Sequence, residues 1–234
     1  MTRQDELASG LAETRERIEA ACREAGRDAG EITLIAITKT YPASDLALLA
    51  ELGVTDVGEN RHPEAGRKLE EAAGLTGTLP RMHFVGGFQT NKANQVARYA
   101  DVVHSVDRSK LVNALARGAE LADRTLGCLV QVDFDTTDPG RAGVVPDGAL
   151  ALADEIAAAG SLRLDGLMTV APLGVDPRPV FDRLVELSHD LRADHPEAVA
   201  VSAGMSGDLE AAVASGATHV RVGRSILGER PPAR

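Results

Sequence analysis

Cysteine is scarce in this chain. Cys22 and Cys128 are the only two among 234 residues, too few for a disulfide framework. His62, His104, His189, His195 and His219 show no metal-ligand spacing, so no metal site is expected. Long apolar runs are missing as well. The N-terminus, MTRQDELASG, has no signal core, and no window approaches a membrane span. A cytoplasmic location without a membrane partner is the expectation. No GxGxxG or GxxxxGKS/T pattern occurs, which weakens any nucleotide reading. Basic residues are outnumbered, 25 Lys and Arg against 35 Asp and Glu, for a net charge of −10. Such a surface argues against nucleic-acid and anionic-membrane partners, and mainly aids solubility. A local basic pocket for a small phosphate remains compatible with it.

What is present fits an ordinary globular protein, 44% hydrophobic and 26% charged. The length suits one α/β barrel. Residues 4–25 place Leu7, Leu11, Ile18 and Cys22 at helical spacing. After them, β-branched apolar runs over 32–39, 54–60, 82–86, 102–106, 128–134, 164–170, 198–203 and 219–223 predict eight strands. Helical stretches over 46–52, 109–121, 149–159, 180–191 and 208–215 lie between them. This alternation implies a parallel sheet. The predicted fold is a (β/α)8 TIM barrel, one domain over 1–234, with an extra N-terminal helix; an open doubly wound sheet is the alternative. Loose segments are expected at 1–4, 136–143, 173–179 and 231–234.

Lys39 is the first candidate for chemistry. The chain has four lysines, and Lys68, Lys92 and Lys110 sit in polar, helix-like surroundings. Lys39 instead ends an apolar run, on the same face as Ile35 and Ile37 by period-two alternation. In a barrel that face leads to the C-terminal mouth, where active sites gather. A desolvated lysine favours the neutral amine that attacks aldehydes. A strand-end lysine reaching for water explains the same pattern equally well. The second candidate is 202–208, Ser-Ala-Gly-Met-Ser-Gly-Asp, at the seventh strand-to-helix junction. Its small residues permit close backbone approach, and the following helix start suits a phosphate. An ordinary capped turn would look the same. The third is 219–225, around Arg221, Gly223, Arg224 and Ser225, after strand eight. Phosphate-binding barrels commonly use these last two loops. Arg221, facing inward, needs a partner, and an ion pair with Asp56 or Glu59 is the structural alternative. Asn60 reads as a ring-contacting group or a turn former, and Met168 as a ring neighbour or core filler. His83 lies away from the mouth and reads as a core hydrogen-bonding residue. Lys92 belongs on a solvated helix face.

Taken together, these segments resemble the pyridoxal-phosphate-binding protein family, the pyridoxal phosphate homeostasis proteins, whose barrel resembles the alanine racemase N-terminal domain. The likeness runs through Ala36-Ile37-Thr38-Lys39-Thr40, Gly58-Glu59-Asn60, His83-Phe84-Val85-Gly86, Gln89-Thr90-Asn91-Lys92 and His104-Ser105-Val106-Asp107. It continues through Gly166-Leu167-Met168-Thr169, Gly204-Met205-Ser206-Gly207-Asp208, Val220-Arg221-Val222-Gly223 and Ile226-Leu227-Gly228-Glu229-Arg230. The ordered set spans nearly the whole chain. The resemblance implies pyridoxal 5′-phosphate (PLP) held as a Schiff base on Lys39. It implies a phosphate site of Ser206, Gly207, Gly223 and Ser225, a ring pocket lined by Asn60 and Met168, and Arg221 facing the pyridine nitrogen. Arg224 stands where the family usually has threonine; the extra cation either pairs with the phosphate or points to solvent and leaves only backbone contacts there. Arg141 replaces a usual lysine.

The function this implies is intracellular vitamin B6 homeostasis, as a PLP carrier or buffer without catalytic residues. The protein is expected to be a monomer whose partners are PLP and apo PLP-dependent enzymes. The alternative is a PLP-dependent amino-acid racemase of weak activity. Racemases resembling this barrel add a C-terminal β-domain, and the chain stops soon after residue 230, which favours the carrier. A third reading is an aldolase-like barrel using Lys39 on a carbonyl substrate.

Overall fold

The computed structural model describes residues 1–135 and 140–229. Eight parallel strands close into a barrel in chain order: β1 (Thr33–Ile37), β2 (Asp56–Glu59), β3 (Arg81–Phe84), β4 (Val102–Val106), β5 (Leu126–Gln131), β6 (Leu162–Met168), β7 (Ala200–Ser202) and β8 (His219–Val222). Closure occurs where β1 pairs with β8, with Thr33 opposite His219 and Ala36 opposite Val222. The expected TIM barrel is therefore the observed one. Around it lie α1 (Arg3–Ala25), α2 (Ala43–Glu51), α3 (Glu64–Ala73), α4 (Ala93–Val96) and α5 (Ser109–Leu121). They are followed by α6 (Pro146–Ala158), α7 (Arg178–Asp194), α8 (Leu209–Ser215) and α9 (Arg224–Leu227). The extra N-terminal helix packs on α8 and α9.

Alternation along each strand divides the side chains between two layers. Outward residues such as Ala36, Val57, Met82, Val220 and Val222 join Leu46, Leu49, Leu69 and Leu209 of the helices in one buried layer. Phe84, Val103, Val130, Leu167 and Val201 join Leu115, Ile156 and Leu184 in another. Each fully buried large side chain stabilises the fold by about 1.5–3 kcal/mol. Inward residues include Ile35, Leu129 and Met168, but also the buried polar groups His83, His104, Ser202 and Arg221.

Three sequence expectations need correction. The first residues are not loose. Thr2 and Asp5 exchange capping hydrogen bonds, and Arg3 reaches Asp45 at 2.6 Å and the Leu227 carbonyl at 3.0 Å. The first strand stops at Ile37 instead of running to Lys39. Thr40, with φ of 72°, takes a left-handed turn that a strand cannot accommodate. Finally, α3 occupies a stretch without a predicted element. Its buried stripe is Ala65, Leu69 and Ala72, and a single large apolar residue makes a faint periodic signal. The segment 173–179 does carry an exposed loop, with Leu173 94% exposed, before α7 begins at Arg178. The expected loose residues 136–139 and 231–234 lie outside the described residues. No described helix is long and apolar enough to cross a membrane.

Candidate functional site

A cleft of about 380 Å³ opens over the C-terminal ends of β1, β7 and β8. Lys39, Ser206, Gly207, Arg221, Gly223 and Arg224 all line it. These come from three separate segments, so the barrel brings together six of the nine predicted cofactor-binding residues. Asn60, Met168 and Ser225 are not among its lining residues. Met168 is buried in the barrel interior with Val102, Leu129 and Ala200. Asn60 follows β2, and Ser225 lies within α9.

Lys39 owes its position to the end of β1. Thr38 is fully buried, and its backbone N–H donates to the Gly58 carbonyl at 3.0 Å. Its hydroxyl donates to Glu59 Oε1 at 2.7 Å. Lys68 of α3 then donates to the Thr38 carbonyl at 2.7 Å and to Glu59 Oε1 at 2.5 Å. Lys68 lies on a helix among polar partners, as its surroundings implied, but it is half-buried and paired. The cluster clamps the residue immediately before Lys39 from outside the barrel. Sequence reasoning missed this role. The available signal was Glu59, an acid at the end of a barrel strand, which a buried site accepts only with a cationic partner. On the other side of Lys39, Thr40 turns the chain, and Tyr41, also lining the cleft, donates its hydroxyl to the Gly228 carbonyl at 2.6 Å.

The loop after β7 is held at three points. Asp208 Oδ1 accepts the Met205 N–H at 2.5 Å. Arg17 of α1 donates to the Ser206 carbonyl at 3.1 Å while paired with Glu210. Gly204 has φ of 88°, and a Cβ there would come within 2.5 Å of Ala212 Cβ, so only glycine allows α8 to start so close. The result is a short curved segment with small residues facing the cleft, which suits an oxygen-rich anion.

Arg221 is 5% exposed. It donates from Nη1 to Ser202 Oγ at 2.7 Å and from Nη2 to the Thr169 carbonyl at 2.9 Å. No described carboxylate lies within ion-pair distance of it, so neither Asp56 nor Glu59 is its direct partner. Burial lowers its pKa to about 10, and the guanidinium stays charged at neutral pH. A guanidinium has five N–H donors, and the two bonds to neutral acceptors leave donors for a ligand in the cleft it lines. A buried cation with no described carboxylate at ion-pair distance, a lysine at the strand mouth and an anion-sized loop fit a ligand that is anionic, acceptor-bearing and amine-reactive. Among the described residues no group of His, Cys, Asp and Glu is arranged to hold a metal ion.

Asn60 is fixed through its backbone. A Cβ on Gly86 would lie 2.2 Å from the Asn60 carbonyl oxygen and 2.8 Å from its Cα. No flexible side chain is present to yield, so Gly86→Ala is expected to cost about 1–3 kcal/mol by overpacking. Urea unfolding checks this, and an unchanged midpoint would count against so tight an approach.

Comparison with known proteins agrees with this geometry. The profile of the alanine racemase N-terminal domain family matches residues 14–231. A protein of Mycobacterium tuberculosis named pyridoxal phosphate homeostasis protein is 43% identical, covering 97% of this chain and 94% of its own length. Its Escherichia coli namesake is 35% identical, covering 97% of both chains. Among solved structures, PipY of Synechococcus elongatus with PLP bound superposes with a TM-score of 0.82 at 30% identity, covering 95% of this chain and all of that one. The chain thus belongs to the alanine racemase N-terminal domain family and, within it, to the pyridoxal phosphate homeostasis proteins.

Proposed function

We propose that this protein binds pyridoxal 5′-phosphate at the mouth of its barrel and serves vitamin B6 homeostasis in the cytoplasm as a monomeric carrier or buffer, not as a catalyst. The observation carrying this reading is the meeting of Lys39, Arg221 and the Ser206–Gly207 loop in one cleft. The relatives' name supports it at 35–43% identity over nearly full length, as does the PLP bound to PipY.

In this reading Lys39 takes the cofactor's aldehyde, whose condensation with the amine forms a C=N bond and releases one water. Ser206, Gly207, Gly223 and Ser225 hold the phosphate, with Arg224 at the exposed rim as an added cation. Asn60 and Met168 border the ring, and Arg221 meets the pyridine nitrogen. A guanidinium cannot accept a proton, so it disfavours a protonated ring nitrogen and weakens the ring as an electron sink. That favours holding the cofactor over carbanion chemistry. Exposure of Leu173, Gly207 and Arg224 at the rim suits loading and release to apo enzymes.

The test is an absorbance titration with PLP, followed by borohydride reduction and peptide mapping. A visible band and a reduced adduct on the Lys39 peptide are expected. Absence of a band, or an adduct on another lysine, would overturn the reading. A turnover assay with amino acids separates carrier from racemase.

A further inference from the structure

The barrel interior contains a connected line of polar side chains that neither the cleft nor the fold by itself requires. Arg221 Nη1 donates to Ser202 Oγ at 2.7 Å. Ser202 Oγ lies 3.0 Å from His104 Nδ1, and His104 Nε2 lies 2.8 Å from His83 Nδ1. His83 Nε2 lies 2.9 Å from Asp56 Oδ1. All five residues are buried, at 5%, 0%, 0%, 1% and 6% exposure in that order. Branched aliphatic side chains ordinarily fill this space in such barrels.

The protons along the line can be placed from its two ends. Asp56 accepts a further hydrogen bond from Thr55 at 2.7 Å. Burial raises its pKa, but the hydrogen bonds from His83 and Thr55 outweigh that and leave its carboxyl below the ordinary range. An ionised carboxylate only accepts, so His83 Nε2 carries a proton and donates. One proton lies between His83 Nδ1 and His104 Nε2, 2.8 Å apart, and the line runs unbroken when His104 Nε2 donates it. Burial, followed by the charge of nearby groups, holds His104 well below its usual pKa and keeps it neutral. His104 Nδ1 is therefore an acceptor, and Ser202 gives it its single hydroxyl proton. The Ser202 oxygen in turn accepts from Arg221. Every link points the same way, from cation to anion. In the reverse arrangement His83 would be a second buried cation, His104 would donate to Ser202, and the Ser202 proton would have no acceptor along the line.

We propose that Ser202, His104 and His83 form a directed hydrogen-bond relay that positions the Arg221 guanidinium, with Asp56 as its remote counter-ion. Aligned hydrogen bonds polarise one another in a low-dielectric interior, so the relay adds to the compensation of the arginine's charge without a carboxylate at ion-pair distance; Asp208, which also lines the cleft, acts on Arg221 only through space. A direct ion pair would occupy the donors that a ligand needs. The three relay residues and Asp56 are positioning residues, because they act on the cleft only through Arg221. The ring-facing consequence rests on the PLP reading given above, whereas the relay itself is a property of the protein alone.

Nitrogen-15 NMR of the histidine side chains in the cofactor-free protein tests the relay directly. Both His83 and His104 should carry a proton on Nε2 and none on Nδ1. A proton on His104 Nδ1, or a doubly protonated His83, would overturn the proposal. Asp56→Asn keeps an acceptor oxygen but removes the charge. It should leave the fold intact, shift the Arg221 side-chain N–H resonances and weaken PLP retention by about fivefold or more, the scale of coupling within a shared network. A variant that only lowers Tm, with unchanged arginine resonances and an unchanged PLP spectrum, would reduce the line to core filling and overturn the relay. If the expected tautomers appear in a protein that takes no PLP, the relay stands and the cofactor reading falls. If PLP loads on Lys39 but His104 has the other tautomer, the relay alone falls.

Discussion

Lys39→Ala is expected to abolish the covalent PLP adduct, leaving no borohydride-stable label at any lysine and no visible band. The expectation follows from where the other three lysines lie. Lys92 and Lys110 are exposed on helical segments away from the cleft. Lys68 is nearer, but it donates to Glu59 and to the Thr38 carbonyl from the far side of β1. Its amine is engaged by a buried acid and a backbone carbonyl, and it does not line the cleft. Lys39 is the only described lysine that lines the cleft. In the proposed reading the phosphate and ring contacts survive the substitution, so noncovalent binding should persist at an affinity lower by about tenfold or more, the loss of roughly 1.4 kcal/mol or greater. Mass mapping after reduction decides the matter. Equal labelling of the variant would show that Lys68 or a surface lysine reacts and would remove Lys39 from its role.

The second large effect concerns acid. His219 is half-buried at the start of β8, and its pKa falls to about 4, mainly because of desolvation. His104 is pushed well below its usual value, again mainly by burial. In the unfolded chain both titrate near 6.5. Between those values the unfolded state binds more protons than the folded one, so stability decreases as pH falls. The contribution is fully present above about pH 6.5 and is lost progressively toward pH 4, with His219 alone accounting for about 3 kcal/mol. Asp56 adds to this at lower pH, because its depressed carboxyl stabilises the fold above the unfolded value near 3.9 and loses that effect as pH falls through its folded value. Urea midpoints at pH 7, 5.5 and 4 should fall steeply. A flat profile over that range would mean that the histidines are protonated in the folded protein. It would also remove the neutral His104 on which the relay depends.

The two expectations draw on information of different visibility. All eight strands were legible in the sequence, because each is a short apolar run bounded by glycine, proline or polar residues, and a parallel barrel buries both faces of its strands. Lys39 was legible for the same reason, as a cation at the end of an apolar run, and the small residues around Ser206 and Gly223 marked the last two junctions. Helix α3 was not legible, because alanines supply most of its buried stripe. The pairing of Lys68 with Glu59 was hidden with it, since a lysine on an unrecognised helix reads as surface. The structural alternative for Arg221 named a plausible acid, Asp56, but the connection is indirect and passes through three residues from β7, β4 and β3.

The sequence by itself determined the order of strands and helices, the barrel class and the residues available at its mouth, because periodicity and turn chemistry act over a few neighbouring positions. Only the tertiary structure decided which of those residues share one cleft, that Arg221 has no adjacent carboxylate, and that histidines 21 residues apart touch at 2.8 Å. These are questions of which inward positions lie side by side once the barrel closes. That depends on strand register, and register is set by the packing of all eight strands together, not by any one segment.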